Sequence, residues 1–110
     1  MTSREDLAKD YRTAFFRYLP RGEESALASA YEIGRRAMNG GLSLLDLAEV
    51  HHETLIEVLR GAKQEEVIGL ARAGSEVFLE AAAAFDMANR AVTERSDDPP
   101  DHPPQRASAV

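Results

Sequence analysis

Up to about residue 94, apolar positions recur in steps of three and four, with charged and polar residues filling the positions between. That period is the signature of amphipathic helix, and four stretches carry it. The first runs from about residue 3 to 19, with Leu7, Tyr11, Ala14, Phe15 and Tyr18 on one stripe. Pro20 is expected to end it, because a proline disfavours the helical region for the residue before it. The second runs from about residue 23 to 39, with Leu27, Ala30, Tyr31, Gly34, Ala37 and Met38 on one face and Gly40-Gly41 placed to supply a left-handed cap. Ser43-Leu-Leu-Asp46 reads as a capping box that opens the third stretch, whose stripe is Leu44, Leu47, Ala48, His51, Leu55, Val58 and Leu59. The fourth, from about residue 64 to 94, keeps Val67, Leu70, Ala71, Gly74, Val77, Phe78, Ala81, Phe85, Ala88 and Val92 in line. No segment alternates with period two, so no strand is expected.

Four amphipathic helices joined by short links predict an all-α, antiparallel four-helix bundle. Its expected core is Tyr11, Phe15, Leu27, Leu47, Leu55, Leu70, Phe78 and Phe85. The fourth helix, at about 45 Å against roughly 25 Å for the others, is too long for its neighbours to cover. It also carries Leu79, Ala82, Ala83 and Met87 outside its main stripe, and the run Ala81–Ala84 gives it low walls. An apolar strip rimmed by charge marks an interaction site, so a partner or a second copy of the chain is expected there. After residue 95 the composition changes: Pro99, Pro100, Pro103 and Pro104 stand among Asp97, Asp98 and Asp101. Such a segment cannot bury enough apolar surface to offset its ordering entropy. The expected division is a helical domain over residues 1–95 and a disordered tail over 96–110.

The 110 residues hold 13 Lys plus Arg against 19 Asp plus Glu, a net charge of −6, which disfavours a phosphate-backbone binder. The chain has no cysteine, which excludes disulfides, thiolate metal sites and cysteine nucleophiles. Nothing approaches a membrane span or a signal peptide, so a soluble, cytoplasmic protein is expected. Glu49 and His52 form a Glu-x-x-His pair of the kind used by di-metal helical bundles. Such sites need a second pair and two more carboxylates, and the other histidine outside this cluster, His102, falls in the tail. No metal or cofactor is therefore expected. His51 lies within the apolar stripe and reads as a half-buried histidine bonded to a carbonyl or carboxylate. The serines have no histidine on a shared face, and Gly22, Gly34 and Gly40-Gly41 fit no phosphate-binding loop, so no enzyme is expected.

Three segments taken in order resemble a known family: Asp10-Tyr-Arg-Thr-Ala-Phe-Phe-Arg-Tyr-Leu19, Leu42-Ser-Leu-Leu-Asp-Leu-Ala-Glu-Val-His-His-Glu-Thr-Leu55 and Phe85-Asp-Met-Ala88. Gly22–Leu27, Ala30–Ala37 and Phe78–Ala81 extend the likeness. The sequence is similar to the N-terminal domain of RsbU-type stress-response phosphatases from about residue 7 to 93. The resemblance implies a four-helix domain that dimerises and is not itself catalytic. It implies docking of a switch kinase or scaffold protein, which regulates a serine phosphatase and through it an alternative sigma factor. It places the docking face at the start of helix two and the outer side of helix four, here Glu24, Leu79 and Ala83, with Ala82 and Met87 as neighbours. Family members continue into a phosphatase domain, for which these 110 residues leave no room. The chain is expected to be either a free-standing docking module or a segment of something longer. Two other readings stand beside it: a small-ligand or metal sensor using His51, His52 and Tyr31, and a purely structural dimeric tether.

Overall fold

The computed structural model describes residues 3–96. Its elements are α1 (Arg4–Arg21), α2 (Glu24–Asn39), α3 (Leu44–Arg60), a single 3-10 turn over Gln64–Glu66 and α4 (Val67–Ser96). The four periodic stretches are the four helices, and no strand occurs among the described residues. Ser96 closes α4; the rest of the expected tail, residues 97–110, lies outside the described residues.

The helix ends follow local chemistry. Ser3 caps α1 by accepting from the Asp6 N–H at 3.1 Å. The capping box at α3 is formed in both directions: the Ser43 hydroxyl accepts from the Asp46 N–H at 3.0 Å, and Asp46 accepts from the Ser43 N–H at 2.9 Å. Those Ser43 bonds hold the Asp46 carboxyl below its usual range, the backbone bond contributing most. At the end of α2, the Leu42 N–H donates to the Ala37 carbonyl at 3.0 Å and the Gly41 N–H to Met38 at 3.1 Å. This is a Schellman closure, and Gly41 provides the left-handed residue it requires, at φ 88°.

Pro20 does not end α1. The helix runs through it to Arg21, and Gly22, left-handed at φ 63°, closes it by donating to the Tyr18 carbonyl at 2.8 Å. A proline in the last turn denies a hydrogen bond to the carbonyl four residues back. Here that residue is Phe16, on the exposed side of α1, where water can take the place of the missing donor.

Packing is organised around α4. Arg17 donates to Ser25 at 2.9 Å while Arg36 faces Asp10 at 3.7 Å, so α1 and α2 run antiparallel. His51 of α3 lies against Phe78 of α4 and Leu55 beside Gly74, so α3 and α4 also run antiparallel, while Gly34 of α2 meets Ala81 of α4. Contact between α2 and α4 is the most extensive in the molecule, and α2 barely touches α3. The arrangement is therefore not the simplest up-and-down sequence, in which each helix packs beside its predecessor.

The reason lies in two glycines. A Cβ at Gly34 would overlap the Ala81 carbonyl oxygen, so α2 and α4 meet backbone to backbone. A Cβ at Gly74 would stand 2.5 Å from the Phe15 ring, which fills the notch that this glycine leaves in α4. Around these crossings the core gathers Leu7, Tyr11, Phe15, Ala30, Ile33, Ala37, Leu47, Val50, Val77, Ala81 and Phe85.

Of the eight expected core residues, Tyr11, Phe15, Leu47 and Phe85 are buried, while Leu27, Leu55, Leu70 and Phe78 are half-buried and pack against the cluster. The buried line of α2 is rotated from the expected one. Ala26, Ala30, Ile33, Gly34 and Ala37 face inward, with Leu27, Tyr31 and Met38 displaced to the flanks. Only small residues fit where two backbones approach this closely. In α3, Val50 and Thr54 are buried, whereas Leu44 in its first turn is 49% exposed.

Two outcomes check this account. Gly34→Ala is expected to lower stability by about 1–3 kcal/mol, because the obstructing atom is backbone and cannot swing aside. Phe15→Ala should cost about 3–5 kcal/mol, the usual loss for a buried aromatic. Chemical denaturation of the two variants measures both.

Candidate functional site

The residues singled out on the fourth helix take their positions from its wheel. The buried side of α4 carries Gly74, Val77, Ala81, Ala84 and Phe85. Leu79 lies opposite that side and is 61% exposed. Ala83, one turn on, is exposed, and Met87, two turns on, is 59% exposed. The i, i+4, i+8 spacing puts the three in one row. Ala82 stands on the flank of that row and is half-buried. Of the alanine run, Ala81 and Ala84 are consumed in packing within the chain, so Ala83 is the one left fully on the outer face.

The structure ties this row to the edge of α2. The Tyr31 hydroxyl approaches the Met87 sulfur at 3.6 Å, a weak hydrogen bond. Glu24, the first residue of α2, is exposed and lies two turns before Tyr31 on the same side of the helix. Its carboxylate favours the positive end of α2, where Glu23 makes no side-chain capping bond. Tyr18 of α1 donates to Glu76 of α4 at 2.7 Å. That bond is the main cause that raises the Tyr18 phenol above its ordinary value, followed by burial and the charges of Glu76 and Glu24.

Two contributors escaped the sequence reading. Ile68 is 74% exposed and precedes Leu79 by eleven residues, about three turns, so it extends the apolar row toward the start of α4. That spacing was available in the sequence. Tyr31 was expected in the core stripe and instead flanks the row; the signal for that was the close approach of α2 and α4, which no local pattern reveals. Val92, also expected on the inner stripe, is 36% exposed, since α4 runs on there past its partners.

The remaining chemical candidates are dispersed. Glu49 and His52 are both exposed, and Glu49 faces Arg4 at 3.6 Å. Among the described residues no three His, Cys, Asp or Glu side chains gather as a metal site would require. His51 is half-buried, and its partner is neither a carbonyl nor a carboxylate but the Tyr11 hydroxyl, 2.6 Å from Nδ1. Burial first, and the neighbouring His52 second, lower the His51 pKa. A groove of about 430 Å³ does exist, between α1 and α2. It is lined by Asp10, Thr13, Arg17, Ser29, Glu32 and Arg36, and neither His51, His52 nor Tyr31 lines it. No described helix is long and apolar enough to cross a membrane.

Comparison with known proteins gives a family match. The family model for phosphoserine phosphatase RsbU, N-terminal domain, matches residues 9–88, from the first turns of α1 to just beyond Met87. The matched portion is thus the N-terminal domain of that phosphatase and not its catalytic part. No curated protein and no solved structure matches the chain.

Because Leu79 points away from every other helix, Leu79→Lys is expected to change stability by less than about 0.5 kcal/mol. A thermal melt with circular dichroism, at a concentration low enough for the monomer to prevail, checks this. A large loss would place Leu79 inside the packing.

Proposed function

The chain belongs to the family of RsbU phosphatase N-terminal domains, and from that premise we propose that it is a non-catalytic docking domain in stress signalling by partner switching. Its partner on this reading is a regulatory protein, a switch kinase or a scaffold, whose docking controls a serine phosphatase and thereby an alternative sigma factor. The observation that supports it most is the outward row Leu79, Ala83 and Met87, extended by Ile68, on a helix whose other side is fully used by the core. A large apolar side chain held in water is available for burial against a partner, at about 25 cal/mol per Å² covered. Rows at i, i+4 and i+8 are the usual form of a helix presented to a groove or to another helix.

The same row suits self-association. Ala83 between Leu79 and Met87 lets a second helix come close, so we read the chain as a homodimer in the cytosol. Glu24, exposed at the start of α2, supplies an acidic side chain in keeping with a basic contact on the partner. The sensor reading gains no support from the groove between α1 and α2, since its lining does not include the residues that reading requires.

Sedimentation of the full chain is expected to give twice the monomer mass. Leu79→Lys and Ala83→Lys should each weaken self-association or binding to the purified switch kinase at least tenfold while helix content is unchanged. Normal binding by both variants, with a monomer at high concentration, would remove this face from consideration and leave the fold assignment intact.

A further inference from the structure

The junction of α1, α3 and α4 contains a titratable group that the docking reading does not use. His51 of α3 stacks on Phe78 of α4, with ring centroids 4.7 Å apart and an angle of 33° between planes. Phe15 and Tyr11 of α1 complete the surround at 6.1 and 5.8 Å. Tyr11 is wholly buried, and its hydroxyl bonds to His51 Nδ1 at 2.6 Å. A buried hydroxyl without a partner is costly, so this bond fixes the state of both groups. Burial raises the Tyr11 phenol far above its ordinary range, so it keeps its proton and donates it. Nδ1 must then offer a lone pair, which places the imidazole proton on Nε2.

We propose that His51 is a proton-operated latch: a proton taken up from solvent on Nδ1 removes the acceptor of the buried Tyr11 O–H, puts a charge among the rings and loosens α3 from α1 and α4. With both ring nitrogens protonated, neither can accept; the Tyr11 oxygen can take a bond from Nδ1–H, but its own buried proton then has no acceptor. The charge would also stand among the Phe15, Phe78 and Tyr11 rings. Stacking on Phe78 favours a cation modestly, but no anion faces the ring.

The groups around it are accounted for element by element. On α1, Tyr11 is neutral, Arg4 pairs with Glu53 and Glu49, and Arg12 pairs with Glu57. On α4, the residues beside Phe78 are Ala71, Gly74 and Ala82, none of them ionisable. On α3 itself, His52 is next in sequence and disfavours a positive charge on His51. The contacts between α2 and α3 are few and bring no bonded or paired group to this ring.

The direction of the effect follows from linkage. The folded state favours neutral His51, so the unfolded chain binds the proton more readily. The stabilisation is complete above the ordinary imidazole value of 6.5 and is lost as the pH falls from there through the lower native value. Over that interval the Arg12–Glu57 pair persists, because Arg12 holds the Glu57 carboxyl below its usual range. The edge of α3 therefore stays tethered to α1 while its inner side opens.

The test is an NMR titration of the full chain between pH 7.5 and 5, following the His51 ring and the amide exchange of α3. Exchange is corrected for its intrinsic pH dependence. The expected result is a His51 midpoint below 6.5, with α3 exchange rising about tenfold through the same midpoint and the α2–α4 contact unchanged. His51→Gln should abolish the rise, and His52→Gln should keep it. Tyr11→Phe removes the donor that stabilises the neutral ring and should move the His51 midpoint upward, which keeps the proposal testable if His51→Gln fails to fold. A rise that survives in His51→Gln overturns the latch. So does an unmoved midpoint in Tyr11→Phe, or protonation of His51 with no change in exchange.

Discussion

Everything in this fold depends on how closely α2 and α4 approach. The Ala81 carbonyl occupies the place where a side chain at Gly34 would begin, so at this crossing the two helices are in backbone contact. That one approach dictates which residues of α2 can face inward, and the answer is Ala26, Ala30 and Ala37 around Ile33. A second glycine, Gly74, opens α4 to the Phe15 ring. With α2 and α1 both seated in α4 through missing side chains, the long helix becomes the element on which the others are built. Interiors at close-packed density leave little freedom to do otherwise.

The helical periods and their ends were largely legible in the sequence. Ser43 with Asp46 and Gly40-Gly41 are local signals, and local signals fix where helices start and stop. Pro20 misled because Leu19, before it, keeps the helical conformation that a following proline disfavours, and the helix runs one residue beyond the proline before Gly22 closes it. The inward face of α2 was less legible. Hydrophobic size suggested Leu27, Tyr31 and Met38, but at a backbone-to-backbone crossing volume counts against a residue. Gly34 was the clue, and its meaning depends on Ala81, 47 positions away. Long-range partners of this kind are what a periodic pattern leaves out.

The outer row of α4 was legible for the complementary reason. Leu79 and Met87 stand where the inner stripe cannot use them, and a residue that breaks a good amphipathic pattern is conspicuous. Around that row the surface is highly charged, and the ion pairs lie elsewhere: Arg4 and Arg12 lace α1 to α3, and Arg35 meets Glu32 within α2. Such exposed pairs add little stability. Their placement leaves the apolar row without ion-pair neighbours except Asp86 with Arg90. The family match covers both the glycine crossings and the row, since all lie within residues 9–88.

The central role of α4 also bears on the order in which the chain can acquire structure. Chains are made from the N-terminus, and α4 is the last of the four helices to leave the ribosome. Until it arrives, the small-residue face of α2 has no backbone to meet, Phe15 has no notch to enter and His51 has no ring beneath it. The first 60 residues can form helical turns, and α1 can lie against α2, but the crossings that define the native packing are missing. Assembly of the core is thereby deferred until α4 has emerged, when one helix docks against three at once.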